Sequence, residues 1–154
     1  MRELSELLRT LNYKFNDLNL LIRALTHSSF SKSEENYEKL EFIGDRVLGL
    51  IISINIFERF KSDSEGELAK KLAFLVCKDT LKDVATKINL HEHLRISKEL
   101  KITSIESIKA NSLEALIAAI FLDSDLETTA KVVNQLWKDI IEDIDLSNHD
   151  PKSR

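Results

Sequence analysis

The segment from about Asn36 to Phe60 carries a 3.6-residue helical pattern that is apolar on nearly every side. Such a helix has to be covered by other elements, so the pattern predicts a buried central helix with the rest of the chain packed around it. With 3 Gly and 1 Pro in 154 residues, the chain has few of the residues that form the tight turns between strands of a sheet. The sequence therefore predicts an all-α fold in one domain.

Amphipathic patterns predict further helices on both sides of this segment. They cover residues 3–11, 17–26, 68–76, 79–88, 98–100 and 108–122, and a last helix follows Glu127. Ser64 with Glu67, and Ser124 with Glu127, have the spacing of a capping box, in which two side chains satisfy backbone groups of the first helical turn. We therefore expect helices to begin at these two places.

Three carboxylates interrupt the apolar pattern of the central helix. Glu38, Glu41 and Asp45 recur at i, i+3 and i+7, which places them on one helix face. Like charges at this spacing repel one another unless water or a cation lies among them. A solvated face is the ordinary explanation for acidic residues on a helix, but the apolar surroundings favour a bound hard divalent metal ion.

Charge and hydropathy narrow the classes of function. The net charge of −4 argues against tight binding of nucleic acid by this chain alone, because phosphate binding draws on positive charge. No segment approaches the length of a membrane span, and the start from Met1 to Leu4 lacks the apolar core of a signal peptide. We therefore expect a cytoplasmic protein.

Four segments resemble the ribonuclease III family and follow its order along the chain. Residues 38–45, Glu-Lys-Leu-Glu-Phe-Ile-Gly-Asp, resemble the family signature. Leu-Thr-His-Ser-Ser-Phe at 25–30 precedes it, and Ser-Glu-Gly-Glu-Leu at 64–68 follows it. The last segment is Asn-Ser-Leu-Glu-Ala-Leu-Ile at 111–117 with Phe-Leu-Asp at 121–123. Together the four segments span nearly the whole chain.

The resemblance implies a helical endonuclease domain over residues 1–149 that works as a homodimer and cleaves double-stranded RNA. The expected cofactor is Mg²⁺, with Mn²⁺ as an alternative ion, and the expected products carry 5′-phosphate and 3′-hydroxyl ends. Precursors of rRNA, mRNA and tRNA are the substrates that the family implies. Residues 150–154 resemble the start of a linker to a double-stranded-RNA-binding domain. Gly44, Gly49 and Phe42 fit close helix contacts, either at a dimer interface or in the core.

The resemblance also assigns roles to individual side chains. Asp45 and Glu114 match the positions most directly tied to catalysis, and the metal ligands match Glu41, Asp45, Asn111 and Glu114. Glu41 and Asp45 lie a turn apart on one helix, and Asn111 and Glu114 lie a turn apart on another. If the two helices cross there, four oxygen ligands face one gap, as a hard divalent ion requires.

Further acidic and basic positions lie beside these residues in the family pattern. Glu38 and Glu65 match additional acidic positions of the catalytic valley. Lys70 and Lys71 follow Glu65 on the next helix and are candidates for contacts with RNA phosphates, although an exposed Lys pair is usually plain surface.

The chain departs from the family pattern at two positions. Asn111 stands where Asp is usual, so the site carries one negative charge fewer and should bind metal more weakly. Arg46 stands where a small residue is more common, and its cation could pair with Glu38, Glu41 or a phosphate. The alternative function is therefore a catalytically weakened or inactive dimeric RNA-binding domain of the same fold. A di-iron helical bundle ranks last, because the chain has no Glu-x-x-His pair at the acidic positions.

Overall fold

The computed structural model describes residues 2–31, 36–103 and 105–149. Within these ranges the chain forms eight α-helices and one 3₁₀ helix, and an isolated bridge between Thr26 and Arg95 is its only β-structure. The predicted all-α fold is confirmed. In chain order the elements are α1 Arg2–Leu11, α2 Leu18–Ala24, α3 Glu38–Arg59, α4 Glu65–Leu75, α5 Lys78–Lys87, the 3₁₀ helix Leu90–His93, α6 Lys98–Thr103, α7 Ile105–Asp123 and α8 Leu126–His149.

Two long helices, α3 and α7, make the most extensive contact of the fold. Helix α7 is buried almost continuously from Ile108 to Ile120, so α7 rather than α3 is the helix that other elements surround. Helix α3 buries one side and leaves large apolar side chains exposed on the other, which corrects the prediction from the sequence. These exposed side chains are Phe42, Leu50, Ile54 and Phe57.

Gly44 allows α3 and α7 to approach closely. A Cβ atom added at Gly44 would lie 1.7 Å from the carbonyl oxygen of Glu114 and 2.5 Å from its carbonyl carbon. Only a residue without a side chain fits against a backbone at that distance. The close contact of Gly44 is therefore within the core of this chain. It brings the turn of α3 that holds Glu41 and Asp45 beside the turn of α7 that holds Glu114.

The start of α3 is tied to the helix that precedes it. The backbone N–H of Tyr37 donates to the carbonyl of Thr26 at 3.0 Å, and the Arg23 guanidinium donates to the carbonyl of Asn36 at 3.2 Å. The side chain of Asn36 in turn accepts a hydrogen bond from the N–H of Glu38 at 2.9 Å. These bonds set the position of the first turn of α3, where the acidic face begins.

One of the two predicted capping boxes is confirmed and the other is wrong. Ser64 Oγ accepts from the N–H of Glu67 at 3.2 Å, and the Glu67 carboxylate accepts from the N–H of Ser64 at 2.9 Å. The Ser124 hydroxyl instead donates to a carbonyl of α7 at 2.6 Å, because α7 extends to the residue before it. Asp125 caps α8 by accepting from the N–H of Thr128 at 2.7 Å.

Asp123, at the end of α7, holds the connection between α1 and α2. Its carboxylate accepts hydrogen bonds from the hydroxyl of Tyr13 at 2.5 Å and from the N–H groups of Asn16 and Asp17, both at 2.8 Å. Burial, together with this hydrogen bond to Asp123, raises the pKa of Tyr13 to about 12. Asp123 therefore has a structural role. No helix in the described ranges combines the length and apolar character needed to cross a membrane.

Candidate metal and catalytic site

The crossing of α3 and α7 gathers carboxyl groups in a partly enclosed position. Glu114 on α7 is only 3% exposed, and its carboxyl group shares a hydrogen bond with that of Asp45 on α3. Asp45 is exposed at the rim, and Glu41 lies half-buried one turn earlier on the same helix. The structure thus brings these three predicted residues together.

The carboxyl groups of this cluster are harder to ionise than isolated ones. Burial and the hydrogen bond with Asp45 raise the pKa of Glu114 from 4.5 to about 7, against the opposing charge of Lys78. Burial also raises the pKa of Glu41, Lys78 lowers it, and the negative charges of Glu38 and Asp45 raise it. Two anions on these groups are therefore costly without a cation close by.

Lys78, the first residue of α5, supplies such a cation, and no pattern in the sequence singled it out. Its ammonium donates to Asn111 Oδ1 at 2.5 Å and to Glu114 Oε1 at 3.3 Å. Helix α5 packs against α7, and Cys77 in extended conformation precedes it, so Lys78 starts the helix beside the cluster. A cation at the first position of a helix is unfavourable for the helix dipole. That local conflict is the signal that could have identified Lys78.

Asn111 faces an open groove next to this cluster. The groove has a volume of about 610 Å³ and is lined by Glu41, Lys78, Lys82, Glu106, Ser107, Ala110 and Asn111. Burial raises the pKa of the Tyr37 hydroxyl, and the neighbouring Asn111 side chain lowers it. Glu41 and Asn111 thus line the groove, and Asp45 and Glu114 lie next to them outside its lining.

The donor set fits a hard divalent cation. Carboxylate and amide oxygens are the ligands that Mg²⁺ prefers, and Glu41 Oε1 is buried with no hydrogen-bond partner among the residues that the structure describes. In the arrangement with the Lys78 ammonium in place, no three Asp, Glu, His or Cys side chains of the described ranges converge as metal ligands. Glu41, Asp45, Asn111 and Glu114 therefore have suitable oxygens, but Lys78 holds two of them.

The two additional acidic residues lie at different distances from the cluster. Glu38 begins α3, is exposed, and acts electrostatically on Glu41. Glu65 begins α4 and lines a second groove with Ile54 and Phe57 near the other end of α3. Ile54 lies 13 residues after Glu41, which corresponds to roughly 20 Å along a helix. Within one chain the structure does not bring Glu65 to the cluster.

Lys70 and Lys71, the predicted contacts for RNA phosphates, differ in their surroundings. The Lys71 ammonium pairs with Asp63 and lies 4.4 Å from the centre of the Phe60 ring, with its side chain 13% exposed. Lys70 is exposed and remains the accessible member of the pair. Lys71 is therefore occupied by contacts within the fold.

Arg46 forms no ion pair with Glu38 or Glu41, its two predicted carboxylate partners, among the described residues. Its guanidinium lies 3.8 Å from the centre of the Phe42 ring, donates to the Phe42 carbonyl at 2.9 Å and approaches Asp45 only at 3.8 Å.

Comparisons with known proteins point to one family. A family model described as Ribonuclease-III-like matches residues 17–140. Ribonuclease 3 of Rickettsia akari is 38% identical to this chain, in a match that covers 99% of this chain and 71% of that protein. Ribonuclease 3 of Clostridium kluyveri is 44% identical, with 89% of this chain and 59% of that protein covered.

Two solved structures from Campylobacter jejuni share the fold. The crystal structure of the nuclease domain of ribonuclease III has a TM-score of 0.84 and 38% identity, and the match covers 90% of this chain and 97% of that chain. A second structure of that domain, described for flexibility in a region involved in dimer formation, has a TM-score of 0.81 and 39% identity. The match covers 85% of this chain and 93% of that chain.

Proposed function

This chain belongs to the ribonuclease III family, and from that premise we propose that it is a magnesium-dependent endoribonuclease that hydrolyses double-stranded RNA. The observation that supports the proposal best is the close crossing of α3 and α7 at Gly44. It sets Glu41 and Asp45 beside Asn111 and Glu114, and two of these four oxygen-bearing side chains, Glu41 and Asn111, line an open groove. Four such side chains around one helix crossing suit a metal-assisted hydrolysis.

Individual side chains would have different roles in this reaction. Glu41, Asp45, Asn111 and Glu114 would hold Mg²⁺, which when bound lowers the pKa of water and stabilises charge on phosphate oxygens. Glu114 is held rigidly by burial in α7, whereas Asp45 at the exposed rim can reach both Glu114 and a ligand in the groove. Glu114 has to release its proton to serve as a ligand, so metal binding should be accompanied by proton release.

The proposed products follow from the direction of attack. Water adds to phosphorus and the bond to the 3′ oxygen breaks, which leaves a 5′-phosphate and a 3′-hydroxyl. With a net charge of −4, the domain would need metal ions and a basic partner segment for tight binding of RNA. Recognition should depend on the A-form shape and the 2′-hydroxyl groups of the duplex.

A cleavage assay tests this proposal directly. We expect the protein to cut a long RNA duplex when Mg²⁺ is present, and to leave the separated strands and an identical DNA duplex intact. A chelator should stop cleavage, and added Mg²⁺ or Mn²⁺ should restore it. Phosphatase treatment followed by 5′ labelling would identify the end groups. Binding of the duplex without any cleavage would instead support the inactive RNA-binding alternative.

We also propose that the exposed apolar side of α3 is covered by a second copy of the chain. Phe42 and Phe57 are 60% and 68% exposed there, and the groove of about 380 Å³ between α3 and α4 is almost wholly apolar. Aromatic side chains exposed in one apolar strip are typical of an interface. Cutting both strands of a duplex calls for two sites related by a two-fold axis. Glu65 lines the same groove and would lie at that interface.

Replacing Phe57 with aspartate should convert the dimer to a monomer. A charge at this position would be buried without a partner in the interface, which costs more than the contact itself provides. Light scattering at tens of micromolar, where obligate dimers seldom dissociate, measures the mass. Leu146→Asp on α8 is the matched control, because Leu146 is 69% exposed and lies outside the groove. A monomeric parent protein would contradict the proposed dimer.

A further inference from the structure

We propose that Lys78 is a built-in competitor of the divalent metal, whose ammonium holds Asn111 and Glu114 in the metal-free chain and leaves when the metal binds. This inference rests on the proposed function, because it takes these two residues as metal ligands. The Lys78 Nζ atom lies 2.5 Å from Asn111 Oδ1 and 3.3 Å from Glu114 Oε1. It therefore contacts one oxygen from each of the two ligands that α7 contributes.

The ammonium and a metal ion would repel each other at these oxygens. Mg²⁺ binds its oxygen ligands at about 2.0–2.1 Å in a strict octahedral arrangement. Each of these oxygens has a second lone pair, but a metal ion bound to both would lie within roughly 5 Å of the ammonium, so the two positive charges would repel each other. Metal binding at this site is thus an exchange of Lys78 for the metal.

Lys78 is free to make that exchange. Its side chain is 62% exposed and opens on the groove, in contrast to Lys71, whose side chain is 13% exposed and fixed by Asp63 and Phe60. The side chain of Lys78 has a four-carbon stem with many rotamers, so the ammonium can swing into solvent without movement of α5.

The exchange gives the domain two stable states. Without metal, the ammonium offsets the negative charge that the adjoining Glu114 and Asp45 carboxyl groups carry between them. With metal, the ion takes over this role and Lys78 is released toward the groove. The amide oxygen of Asn111 accepts from the ammonium, and the same oxygen type can ligate a metal. The cost of displacing Lys78 lowers the metal affinity of the site.

Calorimetric titration of Mn²⁺ into four proteins, the parent, Lys78→Met, Lys82→Met and Glu114→Gln, tests the proposal. Removing the ammonium in Lys78→Met should tighten Mn²⁺ binding about fivefold, the size expected for the loss of one competing ion pair. Lys82→Met is the matched control, because Lys82 lines the same groove on the same helix but pairs with Asp79 at 3.2 Å. It should change the dissociation constant less than about twofold, as a more distant charge does.

Thermal unfolding provides a second readout that does not depend on cleavage. Metal-free Lys78→Met should melt below the parent protein, and saturating Mn²⁺ should raise its melting temperature by more than it raises that of the parent. Lys78→Gln keeps a polar side chain, one bond shorter, without its charge and should behave in the same direction.

Three results would overturn the proposal. Mn²⁺ binding to Lys78→Met that is equal to or weaker than parent binding would show that Lys78 does not compete. An equal change in Lys82→Met would reduce the effect to general charge in the groove. If neither the parent nor Glu114→Gln binds Mn²⁺, both this proposal and the proposed function are wrong. If the parent binds Mn²⁺ tightly and Lys78→Met binds it with the same dissociation constant, only this proposal is wrong.

Discussion

Replacing Gly44 with alanine should destabilise the domain by about 3 kcal/mol and reduce duplex cleavage at least about 100-fold. The added methyl group would lie 1.7 Å from the carbonyl oxygen of Glu114, and a backbone atom cannot rotate away as a flexible side chain can. Helices α3 and α7 would have to move apart. Because Glu41 and Asp45 lie on one of these helices and Glu114 on the other, the move would also separate the proposed ligands.

Gly49→Ala is the matched control for this change. Gly49 lies on the same helix, and beyond its own helical turn an added Cβ would meet no atom of the described residues within 4 Å. Alanine is the better helix former by about 1 kcal/mol, so this variant should be as stable as the parent or more stable. Denaturant unfolding of the three proteins gives the comparison. Equal stability of the two variants would show that α3 and α7 are less tightly packed than the structure indicates.

The helices of this fold could be predicted because their periodicity is local. The start of α4 at Glu65 follows from the capping box at Ser64 and Glu67, which involves residues three apart. A helix does begin after Ser124, but the predicted cap is wrong, because the Ser124 hydroxyl bonds to the end of α7 and Asp125 caps α8 instead. Neighbouring helix ends compete for the same polar side chains, and the sequence alone does not show which end prevails.

The burial of the central helices could be predicted only in part. An apolar pattern on every side of α3 indicates that the helix is covered, but it does not distinguish cover by the same chain from cover by another. Phe57 at 68% exposed illustrates the ambiguity, since its residue type suggests a core position. The sequence also left open whether Gly44 contacts the same chain or a second copy, and in the structure Gly44 contacts Glu114 of the same chain.

The site could be predicted where its residues share a helix and not where they come from distant segments. Spacing paired Glu41 with Asp45 and Asn111 with Glu114, but the meeting of the two pairs depends on the crossing at Gly44. Lys78 lies 33 residues from Asn111 and 36 from Glu114 in sequence, so no short pattern links it to either. Its contacts arise from the packing of α5 on α7, which is a property of the tertiary fold.

Replacing Glu114 with glutamine should abolish magnesium-dependent cleavage and at the same time make the metal-free protein more stable at alkaline pH. Loss of a residue that only supports a metal ligand through a hydrogen bond lowers metal affinity or activity about 10- to 100-fold. Loss of the ligand itself should therefore lower the cleavage rate by more than about 100-fold. The neutral amide keeps the size of the side chain and can still donate a hydrogen bond to Asp45. Helical content and dimerisation should therefore be unchanged.

The stability effect follows from the pKa of Glu114, which folding raises from 4.5 to about 7. The folded chain holds the proton more tightly than the unfolded chain, so this stabilisation is complete below about pH 4.5 and is lost as the pH rises through about 7. A shift of that size corresponds to about 3 kcal/mol.

Melting curves without metal should thus coincide for the parent and Glu114→Gln in acid and separate in favour of the variant toward pH 8. Added Mg²⁺ should then stabilise only the parent, because the metal binds the folded chain through the Glu114 carboxylate. Cleavage retained by the variant, or a stability difference independent of pH, would remove Glu114 from the centre of the site.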